Sequence, residues 1–218
     1  MSVDFSLLHQ FSENQNSKTF ESLYNELFLL SKEHCQRLNF PTLKNDVALW
    51  AEWISGLIKP KKIVEFGSGF GLSAFRFWLG SQDSLEHLVL TERREDLYQL
   101  YLTLPWPEKF KERVTYYSGD AWDVLNNHTD ADLYLLDGEK ADYLKWLHEF
   151  SIHIKINSVI MIDNSFWKGS FLSLDLNGKT QRSALAISQL HEYLKNQNHY
   201  QVCFLPFSDG VTMLRKLS

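Results

Sequence analysis

The stretch KKIVEFGSGFG, from Lys61 to Gly71, decides how the chain folds. Its apolar run, Ile63-Val64-Glu65-Phe66, reads as a strand, and it breaks into Gly67-Ser68-Gly69-Phe70-Gly71 before a helical pattern starts near residue 72. Missing side chains let a backbone turn tightly and come close to a ligand, so a strand that passes through glycines into a helix is the opening unit of a ligand-binding α/β sheet. Gly67, Ser68, Gly69 and Gly71 are therefore candidate cofactor-cradling positions; the alternative is that the glycines only allow the strand to turn. A dinucleotide fingerprint would read G-x-G-x-x-G. Here the third glycine comes one place early and Leu72 stands where it belongs, which weakens a pyrophosphate reading.

Outward from this turn, short apolar runs alternate with helical patterns: HLVLTE, RVTYYSGD, ADLYLLD and NSVIMID, with helices expected near 72–80, 94–104, 121–126 and 139–151. Five β-then-α units argue for a parallel sheet covered by helices on both faces, wound with right-handed crossovers. The ending differs. A helix carrying Ala184, Ile187, Leu190 and Leu194 on one face leads to YQVCFLPF and GVTMLRKL, joined through Ser208-Asp209-Gly210. That turn is too short for a crossover, so the last two strands run antiparallel. Upstream, residues 1 to about 17 are polar and irregular. Phe20, Leu23, Leu27 and Leu30, then Leu43, Val47, Trp50, Ile54 and Leu57, mark two amphipathic helices, either packing elements or a lid. No repeat or linker interrupts the pattern, so a single domain is expected over 1–218, with a helical segment at 1–60 and a cofactor-binding core at 61–218.

A chain of 218 residues with 44% hydrophobic and 14% aromatic content can bury one large core. A net charge of −5 argues against a surface dominated by phosphate contacts. Cys35 and Cys203 stand far apart, outside metal-type spacing, and fit reduced thiols in the cytoplasm. No signal peptide and no membrane-spanning run is legible, so a cytoplasmic protein without a membrane partner is expected. HExxH and GxSxG patterns are missing from the sequence, which leaves hydrolase chemistry unsupported.

The chemistry-bearing residues gather at strand ends. Glu92 closes the second strand 25 residues beyond Gly67, where a carboxylate can accept hydrogen bonds from two ribose hydroxyls; otherwise it is a solvated charge beside Arg93 and Arg94. Asp120, closing the third strand in SGDA, can accept a hydrogen bond from an adenine amino group or cap a helix. Asp137 in LLDGEK and Asp163-Asn164 in MIDNSFWKG offer oxygen donors that suit magnesium, manganese or calcium. They meet one ion if the fourth and fifth strands are neighbours, about 4.8 Å apart; the plain alternative is an Asx turn and a helix cap. Lys140, expected on the first turn of the following helix, would stand beside such an ion. A nearby cation favours a lysine's neutral amine, the form a general base needs. Otherwise Lys140 is a surface lysine. Phe166, Trp167 and Phe171 either wall a flat acceptor or belong to the core.

With these motifs in order, the chain resembles class I S-adenosylmethionine-dependent methyltransferases, specifically the metal-dependent O-methyltransferases that include catechol, caffeoyl-CoA and bacterial tRNA hydroxyuridine enzymes. The resemblance runs from about Lys61 to the C-terminus through VEFGSGFGLSA, VLTE, SGDA, LLDGEKADY, IDNSFWKG and LPFSDGVTML. It implies a Rossmann-like seven-stranded, mostly parallel sheet whose last strand inserts antiparallel. It implies S-adenosylmethionine held by Glu65, Gly67, Ser73, Glu92, Asp120 and Ala121, with Asp137 beside it, and a divalent ion held by Asp137, Asp163 and Asn164. By the family mechanism the ion chelates two neighbouring acceptor oxygens, Lys140 takes the proton, and the oxygen attacks the sulfonium methyl in line. A catechol-like or phenolic small molecule is the expected acceptor. The tRNA wobble hydroxyuridine is the second, and a non-catalytic S-adenosylmethionine-binding module the third reading. A homodimer is compatible with the sequence. Residues 1–60 match less well: LKNDVALWAEWI stands where the family has a glycine-containing approach to the cofactor.

Overall fold

A computed structural model describes residues 24–41, 43–167, 169 and 178–218. The expectations placed on residues 1–17, Phe20, Leu23 and Phe171 lie outside them. Seven strands form one sheet in the order β3-β2-β1-β4-β5-β7-β6: β1 (Lys62–Phe66), β2 (His87–Glu92), β3 (Val114–Ser118), β4 (Leu133–Leu136), β5 (Val159–Asp163), β6 (Tyr200–Leu205) and β7 (Val211–Lys216). All pairs are parallel except those of β7, which runs antiparallel to both β5 and β6. The Rossmann-like sheet with an antiparallel C-terminal strand is thus the observed architecture.

Strand alternation builds two cores. Ile63, Leu88, Leu90, Leu133, Leu135, Met161 and Met213 face one side, where α1 (Asn25–Leu38), α2 (Asn45–Ile58), α3 (Leu72–Ser81), α4 (Glu95–Thr103) and α5 (Glu108–Lys111) pack. Val64, Val89, Tyr134, Leu136, Ile160, Ile162 and Leu214 face the other, under α6 (Trp122–Leu125), α7 (Asp142–Glu149) and α8 (Gly178–Asn196). Both faces being covered explains why the central strands read as unbroken apolar runs. Ala184, Ile187, Leu190 and Leu194 are all buried, as the helical spacing predicts for α8.

Three expectations need correction. The buried stripe of α2 is Val47, Ala48, Ala51, Glu52 and Ser55, while Trp50 and Ile54 are half-buried and Leu57 is 64% exposed. The cause is close helix packing: a Cβ at Gly80 of α3 would fall 1.9 Å from the Glu52 carbonyl oxygen, so small residues, not the bulky ones, make the contact. Glu52 is buried there because Arg76 of α3 pairs with it, at 8% and 9% side-chain exposure. The helix expected over 139–151 begins only at Asp142, so Lys140 sits in the turn before it. Asp120 lies two residues beyond the end of β3. The short α5 was not expected at all; four residues carry too little periodicity to read. Among the described residues no helix is long and apolar enough to cross a membrane.

Candidate active site

The register of the sheet assembles the site at the carboxyl ends of β1, β2, β4 and β5. Leu136 pairs with Ile162 in parallel β4 and β5, so one step further Asp137 and Asp163 stand at adjacent strand ends on the same face. Asp163 is only 4% exposed, whereas the Asp137 side chain keeps 28% exposure. Asp137, Lys140, Asn164 and Trp167 line one cavity of about 450 Å³, together with Ser68, Gly69, Ser73 and Ser183. A neighbouring cavity of about 330 Å³ is lined by Gly67, Glu92, Gly119, Ala121, Trp122 and Tyr143, among others. Phe40, Gly67, Arg94, Asp137, Gly138 and Glu139 line both.

The glycine turn is fixed by what touches it. Gly67 adopts φ +79°, and a Cβ there would meet the Asp137 carbonyl oxygen at 2.6 Å, so the turn leaving β1 and the one leaving β4 pack backbone to backbone. Gly67 and Ser68 donate their N–H groups to the Thr91 carbonyl at 3.1 and 3.0 Å. Glu92 accepts the N–H of Gly69 at 3.0 Å and that of Arg94 at 2.9 Å. Glu92 therefore shapes the turn as well as facing the cavity. Asp120, between the cavity-lining Gly119 and Ala121, accepts the Trp122 N–H at 3.0 Å and pairs with Arg93 at 3.0 Å. That bond ties down the turn ahead of α6, whose N-cap is Ala121.

Glu65 is fully buried on β1 and bonded to the Ser73 hydroxyl. Burial pushes its carboxyl up to about 7, against the lowering effect of Ser73 and Ser68. Its second oxygen, Oε2, is buried without a hydrogen-bond partner. Burial also raises Asp137 and Asp163 above the ordinary carboxylate range, and for Asp163 the Asp137 charge adds to the effect. Two buried carboxyls, Glu65 and Asp163, thus crowd one end of the sheet with the partly buried Asp137, whose ion-pair partner among the described residues is Lys140. Its ammonium lies 3.6 Å from Asp137 Oδ1 and donates to the Gly138 carbonyl at 3.2 Å and the Tyr143 hydroxyl at 2.8 Å. Lys140 is 7% exposed, which disposes of the surface-lysine alternative. Carboxyls raised in this way regain their charged form most readily beside a cation or a sulfonium.

Asn164 adopts the turn geometry of its plain alternative. Its N–H bonds to Asp163 Oδ1 at 2.7 Å, an Asx-type link, and its φ is +52°. It also lines the larger cavity. Among the described residues, no group of three or more His, Cys, Asp or Glu has metal-holding geometry; the donor set under consideration is two carboxylates and an amide. Trp167 walls that cavity, while the half-buried Phe166 packs on His191 and the exposed Phe204, outside both cores.

The comparisons with known proteins bear on this arrangement. A family model described as O-methyltransferase matches residues 24–217. The chain belongs to the O-methyltransferase family. It is an S-adenosylmethionine-dependent enzyme of that family. Caffeoyl-CoA O-methyltransferase 1 of Arabidopsis thaliana is 24% identical over 190 residues, covering 83% of this chain and 73% of that one. The corresponding protein of Medicago sativa is 24% identical over 189 residues, covering 82% and 76%. Among solved structures, the SAH-bound Podospora anserina methyltransferase PaMTH1 superposes with a TM-score of 0.75 at 20% identity over 100% of both chains. The O-methyltransferase TomG from Streptomyces achromogenes, in complex with SAM, gives 0.77 at 15% identity over 96% and 95%.

Sequence reasoning missed Phe40, Trp122 and Tyr143. Phe40 follows the C-terminal end of α1, where Asn39 is left-handed and the Phe40 N–H bonds to the Cys35 carbonyl at 3.0 Å, and its ring stands against Gly69. Only its position between two helices hinted at it. Tyr143 stands three residues after Lys140 in LLDGEKADY, a spacing that by itself does not show the contact between them.

Proposed function

We propose that this O-methyltransferase transfers the methyl group of S-adenosylmethionine to a hydroxyl of a catechol-like or phenolic small molecule, with a divalent cation, magnesium first, held by Asp137, Asp163 and Asn164. One observation carries the reading: Asp137, Lys140 and Asn164 line a single cavity next to the glycine turn, with Asp163 buried at the adjacent strand end. The donor set fits a hard cation, since two carboxylates and an amide offer oxygen ligands only, and desolvation holds both carboxyls above their ordinary range. When bound, such an ion supplies Lewis-acid activation and orientation of acceptor oxygens.

The chain's own residues do the rest. The smaller cavity takes the cofactor: Glu92 at the end of β2 suits ribose hydroxyls, and Ala121 and Trp122 offer an apolar wall for a base, while Ser73, on the larger cavity, is held from behind by the buried Glu65. In the larger cavity Lys140 accepts the hydroxyl proton at Nζ and Trp167 walls a flat ring. The shared boundary through Phe40, Gly67 and Asp137 lets donor and acceptor meet, so proximity lowers the barrier. A cavity of about 450 Å³ suits a small molecule, and the rim arginines Arg93 and Arg94 are engaged by Asp120, Asp142 and Asp96, not displayed for phosphates. The test offers the protein methyl-labelled S-adenosylmethionine and magnesium with a catechol panel or unmodified tRNA. Label in a catechol supports the proposal; label in tRNA alone overturns the acceptor class.

A further inference from the structure

We propose that Tyr143 is a positioning residue that aims the Lys140 amine, by tying it to the strand end that carries Asp163. The inference rests on the reading of Lys140 as the proton acceptor.

Tyr143 is 2% exposed, and its hydroxyl sits between two elements of the site. It accepts a hydrogen bond from Lys140 Nζ at 2.8 Å and donates to the Asp163 backbone carbonyl at 3.3 Å. A phenol has one proton to give and lone pairs to accept with, so both bonds are satisfied at once. Lys140 Nζ has three directions around it beyond its own stem. The Gly138 carbonyl occupies one at 3.2 Å, Tyr143 the second, and the third faces Asp137 Oδ1 at 3.6 Å. With two directions held by fixed oxygens, the amine presents the third toward the Asp137 side of the cavity, where an acceptor oxygen would lie. The ring of Tyr143, with Lys140 Nζ 5.1 Å from its centroid, and that of Trp167, at 5.8 Å, restrict the stem further. Removing the hydroxyl leaves one anchor and lets Nζ swing about its terminal bonds. A misplacement on that scale costs roughly a hundredfold in rate.

Tyr143→Phe keeps the ring that walls the cofactor cavity and removes only the hydroxyl. Expected with S-adenosylmethionine, magnesium and 1,2-dihydroxybenzene is a fall in kcat of about 10- to 100-fold, with the KM for the diol and the calorimetric affinity for S-adenosylhomocysteine within about twofold of wild type. In a Lys140→Met background the same change should have no further effect. An arm independent of turnover uses 13C-lysine-labelled protein, with the Lys140 signal assigned by its loss in Lys140→Met. Two distinct ε-methylene proton shifts in the wild type should merge in Tyr143→Phe. Unchanged kcat and unmerged signals overturn the proposal while leaving Lys140 as the base. Cofactor affinity falling in step with kcat overturns it in favour of a structural role. Full activity in Lys140→Met overturns this proposal and the base assignment together.

Discussion

Glu92 Oε2 accepts the backbone N–H of Gly69 at 3.0 Å, so the carboxylate that ends β2 holds the turn that leaves β1. One side chain thus shapes the smaller cavity, the one proposed for the cofactor, and lines it. Glu92→Ala should weaken S-adenosylmethionine binding at least tenfold and lower stability by about 1 kcal/mol, through loss of the part-buried bond to the Gly69 N–H. Calorimetry and thermal unfolding check the two effects separately.

Glu65 gives a pH signature. Its ordinary value of 4.5 is raised to about 7 by burial, with Ser73 and Ser68 opposing and the Glu92 charge adding a little. A carboxyl raised in the folded state contributes stability that is present below pH 4.5 and is lost as pH rises through about 7. Glu65→Gln removes that dependence. Relative to wild type it should gain about 2–3 kcal/mol in stability between pH 5 and pH 8, measured by denaturant unfolding without cofactor.

Gly80 marks the tightest crossing of α2 and α3. An alanine Cβ would lie 1.9 Å from the Glu52 carbonyl oxygen and 2.3 Å from Ser55 Oγ. Gly80→Ala should cost about 3 kcal/mol or more. Gly138→Ala is the control, since its nearest neighbour would be 3.9 Å away; the difference in Tm between the two variants measures the clash.

Phe40 borders both cavities and stands against Gly69, with the Arg94 guanidinium 5.6 Å from its ring centre. Phe40→Ala should weaken S-adenosylhomocysteine binding about tenfold, the equivalent of roughly 1.4 kcal/mol of lost apolar contact. It should also raise the acceptor KM, because the wall is common to both ligands. Isothermal titration and steady-state kinetics read the two.

How far the sequence spoke depends on the kind of signal. Buried strands such as VLTE and LLD announce themselves by apolar runs, which puts Asp137 and Asp163 at strand ends, whereas that β4 lies beside β5 is a condition on the sequence reading that the structure meets. The hairpin through Asp209-Gly210 fixed the antiparallel end of the sheet. What failed was the face of α2, because helical spacing ranks Trp50, Ile54 and Leu57 by hydrophobicity, whereas packing against Gly80 selects Ala51 and Ser55 by size. Lys140 was put on a helix that starts two residues later. Phe40 and Tyr143 went unread for another reason: a single aromatic has no periodicity, and only three-dimensional proximity shows that one walls two cavities and the other holds a lysine.

The central claim is that Asp137, Asp163 and Asn164 hold a divalent ion that methyl transfer requires. The direct measurement is labelled methyl transfer from S-adenosylmethionine to a catechol after exhaustive chelation, then with magnesium restored, in wild type and in Asp137→Ala. The account predicts loss on chelation and recovery with magnesium in the wild type, and no recovery in Asp137→Ala although that variant still binds S-adenosylhomocysteine. Undiminished transfer in the presence of chelator would contradict it.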